Sequence, residues 1–245
     1  MMKLSVLIPT NNVSNNTIKT VSSIKFHDIM FEILVVIDSV SNIDEEAYNK
    51  LFKISHVKII KNNSRSGIAE TLNCGLVHAT GEYILRLDDG DINLRSDLTE
   101  ELERLKSCDL LCASMLVKDE RRQSVIVVTP RIIYRAGRLS PFSRVPHPTW
   151  IFKRDNVKTL YQSNDHRCED FGFLVRNSFK IDYVERLAIQ YDVCNKLNYV
   201  SELKSIFCKW KICYKSFSIH WIMIECTFYA LVRLIRLSIT TRKVI

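Results

Sequence analysis

Within the first 90 residues, four short runs rich in β-branched residues are separated by stretches of helical period, and this alternation constrains the fold most strongly. Leu4-Ser5-Val6-Leu7-Ile8, Ile33-Leu34-Val35-Val36-Ile37, Val57-Lys58-Ile59-Ile60 and Tyr83 to Leu87 read as strands stopped by turn-forming residues. Between them, Asn15 to Phe26 and Asp44 to Ile54 read as helices, and Ile68, Leu72, Leu76 and Ala79 fall at helical spacing after Gly67. Alternating strands and helices require right-handed crossovers, and therefore a mainly parallel sheet covered on both faces. The expected class is α/β.

Such a sheet binds ligands outside the carboxyl ends of its strands. Polar clusters follow each run: Pro9-Thr10-Asn11-Asn12, Asp38-Ser39, Asn62-Asn63-Ser64-Arg65 and Asp88-Asp89-Gly90-Asp91. All four are expected on one edge. The last places three carboxylates in four residues, an arrangement that repels itself unless a cation sits there. Oxygen-only ligands suit Mg²⁺ or Mn²⁺, which keep several waters and share positions with substrate phosphates. An enzyme handling a diphosphate is the first reading, although Asp and Gly also form plain polar turns.

The second half is less regular. Asp97 to Leu105 reads as a helix, Leu110 to Val117 and Ser124 to Val128 as strands, and Pro130 to Pro148, with Arg131, Arg135, Arg138 and Arg144, as a basic loop of lid type. A chain of 245 residues holds one large α/β domain with an appendage. Scarce Gly and Pro exclude long disordered linkers. Ser201 to the end holds eight Lys or Arg against two Glu, so +6 of the formal +8 charge lies there. That placement argues against a nucleic-acid surface on the main domain. Eight cysteines lack any Cys-x-x-Cys pair, which reads as reduced, mostly buried thiols in a cytosolic protein. Leu4 to Ile8 is too short for a signal-peptide core.

Five separated motifs, in order, resemble the family 2 glycosyltransferases of GT-A fold, and in particular their bacterial surface-polysaccharide branch (O-antigen, capsule). They are Leu4 to Thr10, Glu32 to Ser39, Gly67 to Leu87 with Asp88, His147-Pro148-Thr149-Trp150-Ile151-Phe152-Lys153-Arg154, and Glu169-Asp170-Phe171-Gly172-Phe173-Leu174. The resemblance covers roughly residues 3 to 176. It implies a GT-A-like, Rossmann-like catalytic domain over 1–200, with a nucleotide-binding half (1–95), an acceptor half (96–200) and a basic, amphipathic helical tail (201–245). This chain departs from the branch in three places. Gly90 stands at the middle Asp of Asp-x-Asp-Asp, Asn11 replaces an aromatic after Pro-Thr, and Asp38 stands where two adjacent acids are common.

The resemblance implies transfer of a sugar, with inversion, from a nucleotide-diphosphate donor to a saccharide or polyprenyl-diphosphate-linked saccharide. Asp170 would act as catalytic base, Asp89 and Asp91 would hold Mn²⁺ or Mg²⁺, and Pro9, Thr10, Asp38, Arg65, Asp88 and Asp89 would bind the donor. Asp89 on an extended chain would place its side chain on the same side as that of Asp91. Arg86, His147 and Glu169 are further candidates for donor or acceptor contacts. Each has a plainer reading: Glu169-Asp170 opens a helix from Phe171 to Phe179, Asp38 ends a strand, Arg65 and Arg86 are surface arginines, and His147 is structural.

Ser216 to Val232, aromatic-rich between Lys215 and Arg233, contains His220 and Glu225 and is too short and polar for a spanning helix. It reads as a helix lying on an anionic membrane surface, or as one packed on the domain. The first reading places the protein peripherally on the cytoplasmic face of a bacterial inner membrane. Two other functions fit the acidic strand ends, a nucleotidyltransferase and a non-catalytic nucleotide-sugar-binding homologue. Against the nucleotidyltransferase, Pro9 to Asn16 lacks the Gly, Lys and Arg of its usual loop.

Overall fold

The computed structural model describes residues 3–38, 44–119, 123–135, 137–140, 143–165, 168–192, 208–209 and 211–212. Strands and helices alternate through the first half: β1 (Lys3–Thr10), α1 (Asn15–Ser22), β2 (Met30–Ile37), α2 (Glu45–Phe52), β3 (Val57–Lys61), α3 (Ile68–His78) and β4 (Tyr83–Arg86). They are followed by β5 (Ile92–Asn93), α4 (Thr99–Leu105), β6 (Leu110–Asp119), β7 (Ser124–Val128), β8 (Tyr134–Arg135), β9 (Arg138–Leu139), β10 (Ile151–Lys153), α5 (Glu169–Asn177) and β11 (Ile181–Asp192). One sheet runs β3-β2-β1-β4-β10-β6-β11-β5, with β7 paired to β6. β1 to β4 are parallel, as expected, and β10 lies antiparallel between β4 and β6.

Local chemistry sets the helix ends. The Ser14 hydroxyl accepts from Asn16 N at 3.2 Å while Thr17 Oγ1 accepts from Ser14 N at 3.0 Å, a reciprocal cap that opens α1. α1 stops at Ser22, short of the expected Phe26. The Ser23 hydroxyl donates to the Thr20 carbonyl at 2.6 Å and accepts from Asn93 N at 2.9 Å, which turns the chain away and ties it to β5. Asp44 caps α2 through Glu46 N and Ala47 N, both at 3.1 Å. α5 is capped by Ser178, whose φ of +52° closes the helix after Asn177.

Alternate residues of the central strands feed two cores. Leu4, Val6, Ile8, Ile33, Val35 and Ile37 face one layer, and Leu7, Leu34, Val36, Ile84 and Phe152 the other. Fully burying one such side chain contributes about 1.5–3 kcal/mol. α3 lies close against the sheet because Gly75 has no side chain: a Cβ there would stand 1.9 Å from Leu7 Cδ1.

Three elements depart from the sequence expectation. The described residues of the basic segment 130–148 form regular pairings rather than a plain loop. They carry the β8–β9 hairpin, a bridge between Arg131 and Arg144 closed by N–H···O bonds of 2.9 and 2.8 Å, and a 3₁₀ turn at His147–Thr149. β10 and β11 complete the sheet where no strand was expected. Of the tail, Cys208, Lys209, Lys211 and Ile212 are described: Ile212 is buried beside α5, and Lys209 Nζ lies 5.8 Å from the centre of the Phe171 ring. The segment Ser216 to Val232 and Ser39 lie outside the described residues. Among the described residues, no helix is long and apolar enough to cross a membrane, and the five described cysteines are free thiols.

Candidate active site

The four polar clusters meet on one sheet edge. Asp38, at the carboxyl end of β2, is buried, and its Oδ1 and Oδ2 accept from the backbone N–H groups of Ser66 (2.8 Å) and Gly67 (2.9 Å). Asn62 Nδ2 reaches Oδ1 at 3.4 Å. Asp38 thereby fixes the loop that enters α3, where Gly67 has a φ of +84°. Pro9, Thr10, Asn11, Asp38, Arg65, Gly67, Ile68 and Thr71 line a cavity of about 250 Å³, which brings together four of the expected donor-binding residues. Thr10 continues from there to the acidic turn, donating its hydroxyl to Asp89 Oδ2.

That turn corrects one expectation. Asp88 to Asp91 is not extended: Asp91 N donates to the Asp88 carbonyl at 3.1 Å, and Gly90 takes a φ of +98°. A left-handed third residue is what such a turn requires, so glycine at the usual acidic position has a conformational cause. Asp89 Oδ2 accepts from the hydroxyls of Thr10 and, at 3.2 Å, Thr17. Asp89 Oδ1 and Asp91 Oδ2 are both buried and, among the described residues, have no hydrogen-bond partner. Burial pushes the Asp91 carboxyl up to about 8, with the charges of Asp88, Asp192 and Asp89 adding to it. Burial also raises Asp89, against the pull of its two threonines.

These two starved oxygens fit a hard divalent cation. Among the described residues no three His, Cys, Asp or Glu side chains are placed to hold a metal by themselves. One or two carboxylates completed by water and phosphate are the usual protein share for Mg²⁺.

Beside the turn, four expected residues form a closed ring of charge. Arg86, buried on β4, donates from Nε to Asp88 Oδ1 at 3.1 Å and from Nη1 to Asp170 Oδ1. His147, half-buried on the 3₁₀ turn, has Nε2 2.9 Å from Asp88 Oδ2 and Nδ1 3.1 Å from Asp170 Oδ2. An imidazole donates to both carboxylates at once only when both nitrogens carry protons. Burial works to raise Asp88, but Arg86 and His147 outweigh it and hold its carboxyl well below the usual range. Burial likewise works to lower the Arg86 guanidinium, and Asp170 and Asp88 overcome it and raise its pKa. Glu169 lies partly exposed on the first turn of α5, next to Asp170.

Several contributors escape sequence reasoning. Tyr161, whose ring lies 5.9 Å from the Arg86 guanidinium and stacks on Phe173 at 4.1 Å, supports the arginine from below. Its main chain is held by Asn73, which accepts from Tyr161 N and donates to Tyr161 O, both at 2.9 Å. From distant segments, the Thr17 hydroxyl bonds Asp89 and the charge of Asp192 acts on Asp91. A tyrosine in an irregular stretch and a threonine inside a helix carry no local signal of such roles.

A sequence profile described as Glycosyl transferase family 2 matches residues 5–180. The chain is 27% identical over 205 residues to the uncharacterized glycosyltransferase MJ1057 of Methanocaldococcus jannaschii, covering 78% of this chain and 69% of that protein. It is 27% identical over 184 residues to the putative glycosyltransferase EpsE of Bacillus subtilis, covering 71% of this chain and 66% of that one. The structure superposes on S. aureus TarS 1-349 in complex with UDP with a TM-score of 0.61 at 18% identity, over 86% of this chain and 65% of TarS 1-349. For the complex with UDP-GlcNAc the TM-score is 0.62 at 19% identity, over the same shares. The chain spans about two thirds of the length of these relatives. The structural likeness establishes a GT-A fold, and the profile match over most of the chain makes the protein a member of glycosyl transferase family 2, whose members transfer glycosyl groups.

Proposed function

We propose that the protein is an inverting glycosyltransferase that moves a sugar from a nucleotide-diphosphate donor to a saccharide, or polyprenyl-diphosphate-linked saccharide, in surface-polysaccharide (O-antigen or capsule) assembly. The observation that carries this reading is the position of Asp170. A carboxylate at the mouth of α5 is oriented by Arg86 and His147, beside a turn with two unsatisfied acid oxygens and a cavity of about 250 Å³. In this reading Asp170 removes the acceptor hydroxyl proton as that oxygen attacks the anomeric carbon. The bond to the diphosphate breaks on the opposite face, the nucleoside diphosphate departs with the bonding pair, and the anomeric centre inverts.

Pro9, Thr10, Asp38 and Arg65 enclose the nucleoside in this reading, Asp38 using the lone pairs its loop contacts leave over. Asp89 and Asp91 would hold Mn²⁺ or Mg²⁺, and a divalent ion bound there would supply positive charge to offset that of the leaving diphosphate. Arg86 holds Asp88 and Asp170 in register, and His147 faces the reacting groups. The complexes of S. aureus TarS with UDP and UDP-GlcNAc support a nucleotide-sugar donor by likeness of fold. Residues 1–95 then form the donor half and 96–200 the acceptor half. The basic 201–245 segment favours an anionic membrane on the cytoplasmic face, where a lipid-linked acceptor resides.

Nucleoside diphosphate release from a panel of UDP-, GDP- and dTDP-sugars, with Mn²⁺ or EDTA and a membrane extract as acceptor source, tests the proposal. Release from one donor that EDTA and Asp170→Asn both abolish is expected. Nucleotide-sugar binding without transfer, with every donor and extract, would leave a binding protein in its place.

A further inference from the structure

A second ion pair lies out of reach of solvent beneath the active site. Arg95, in the segment after β5, and Glu101, on α4, are 2% and 0% exposed. Arg95 Nε donates to Glu101 Oε1 at 3.3 Å, and Arg95 Nη2 donates to the Thr149 carbonyl at 2.7 Å. Arg95 Nη1 is buried and, among the described residues, has no hydrogen-bond partner. Asn93 braces the same residue, its Nδ2 donating to the Arg95 carbonyl at 2.7 Å. On the far side, Arg186 of β11 reaches Glu101 Oε2 at 3.5 Å and Asp97 Oδ2 at 3.0 Å.

Stability alone is a poor explanation for this arrangement. Replacing a buried ion pair by apolar groups of similar volume is often neutral or favourable, because desolvation costs as much as the attraction returns. What the pair does supply is direction. Thr149 is the last residue of the 3₁₀ turn that presents His147, and its hydroxyl accepts from Ala113 N of β6 at 2.9 Å and donates to the Pro146 carbonyl at 2.8 Å. The turn is thus held at three points: its side chain by β6, its own carbonyl by Arg95, and the adjoining Trp150 carbonyl by Arg86 N at 3.1 Å. Of these three contacts, the first and third come from backbone N–H groups and the second from the Arg95 side chain.

We propose that Arg95, anchored by Glu101, is a positioning residue: its grip on the Thr149 carbonyl sets the rotation of the 3₁₀ turn and so keeps His147 between Asp88 and Asp170. Arg95 touches no reacting group. Its effect on turnover rests on the functional reading above, in which His147 and Asp170 face the acceptor, whereas its effect on His147 geometry does not. A guanidinium suits the task because its planar fork serves two acceptors in fixed relative directions, which an ammonium does not.

The test uses the full chain carrying Arg95→Met with Glu101→Met, so that no lone charge is left buried, and separately Arg95→Lys, which retains the charge against Glu101 but not the fork. Two readouts are taken. The first is the imidazole ¹⁵N spectrum of histidine-labelled protein, with His147 assigned by His147→Asn. The second is kcat and KM for the donor found in the release assay. Expected results for the double variant are a melting temperature within a few degrees of wild type and His147 resonances moved towards those of a solvent-exposed histidine. Its kcat should fall at least tenfold with donor KM within about threefold. Arg95→Lys should show the same displacement at a smaller amplitude, and it decides the matter if the double variant does not fold. Unchanged His147 resonances in a folded variant would overturn the proposal. Displaced resonances with undiminished kcat would uphold the positioning and remove His147 from the functional reading.

Discussion

The two carboxylate pairs at the sheet edge are held by different chemistry. Asp38 and Asp89 are fixed by neutral donors, the N–H groups of Ser66 and Gly67 and the hydroxyls of Thr10 and Thr17. Asp88 and Asp170 are fixed by cationic or ionisable partners, Arg86 and His147. Neutral donors orient an acid without cancelling its charge, so Asp89 is fixed in place while burial still works against its ionised form. Charged donors orient and cancel together, so the ring around Asp170 is close to self-sufficient. In the proposed reading the first region would take a positive ligand, while the second is held by partners of its own.

The largest expected effect comes from breaking the self-sufficient ring. Asp170→Asn should reduce turnover by about 10²–10⁴-fold while nucleotide binding, measured by calorimetry, is retained. Arg86→Met should be as severe and also lower stability, because it strands two carboxylates in a largely buried place. If Asp170→Asn kept wild-type turnover, the base would have to be sought elsewhere.

The next effect separates the regions. Saturating Mn²⁺, at about 100 times its dissociation constant, should stabilise the wild type by about 2.7 kcal/mol. Asp91→Asn should abolish that thermal shift, and Asp88→Asn should leave most of it. Equal loss in both variants would erase the distinction between the regions. Smaller again, Asp38→Asn turns an acceptor into a donor against two N–H groups. It should cost about 1–3 kcal/mol in urea unfolding, with weaker nucleotide binding.

The smallest effect concerns a carboxylate far from the site. Burial pushes Glu32 up, but hydrogen bonds from Thr80 and Ser5, with the Lys3 ammonium, outweigh it and leave its carboxyl below the usual range. An acid lowered on folding contributes stability that is complete above its ordinary value, near 4.5, and is lost as pH falls through the lowered one. Glu32→Gln should therefore unfold with a shallower pH dependence below about pH 4.5 than the wild type.

The parallel half was legible because its strands are continuous apolar runs ending in polar clusters, and burial on both faces is what such runs report. β11 was not. Its buried and exposed positions lose strict alternation, and its pairing with β6 shifts register after Val184 and again after Leu187, so a period of two never builds up. β10 is three residues long and sits inside a motif whose first half is a turn. At the site, Arg86, His147 and Asp170 were each marked separately, yet the ring itself depends on β10 lying between β4 and β6, a long-range fact. The extended placement expected of Asp89 and Asp91 gives way to the polar turn at Gly90, because Asp and Gly tolerate both states and only φ distinguishes them.

The antiparallel insertion of β10 has a kinetic consequence. Arg86 and Asp170 are 84 positions apart in the chain, and the strand that brings the His147 turn to them enters between two neighbours, one of which comes far earlier in sequence. Closing such a long loop is entropically slow relative to local helix formation. After dilution from denaturant, helical content should return well before the reactive ring, and a chain interrupted by proteolysis between β6 and β10 should keep much of its secondary structure while its chemistry fails.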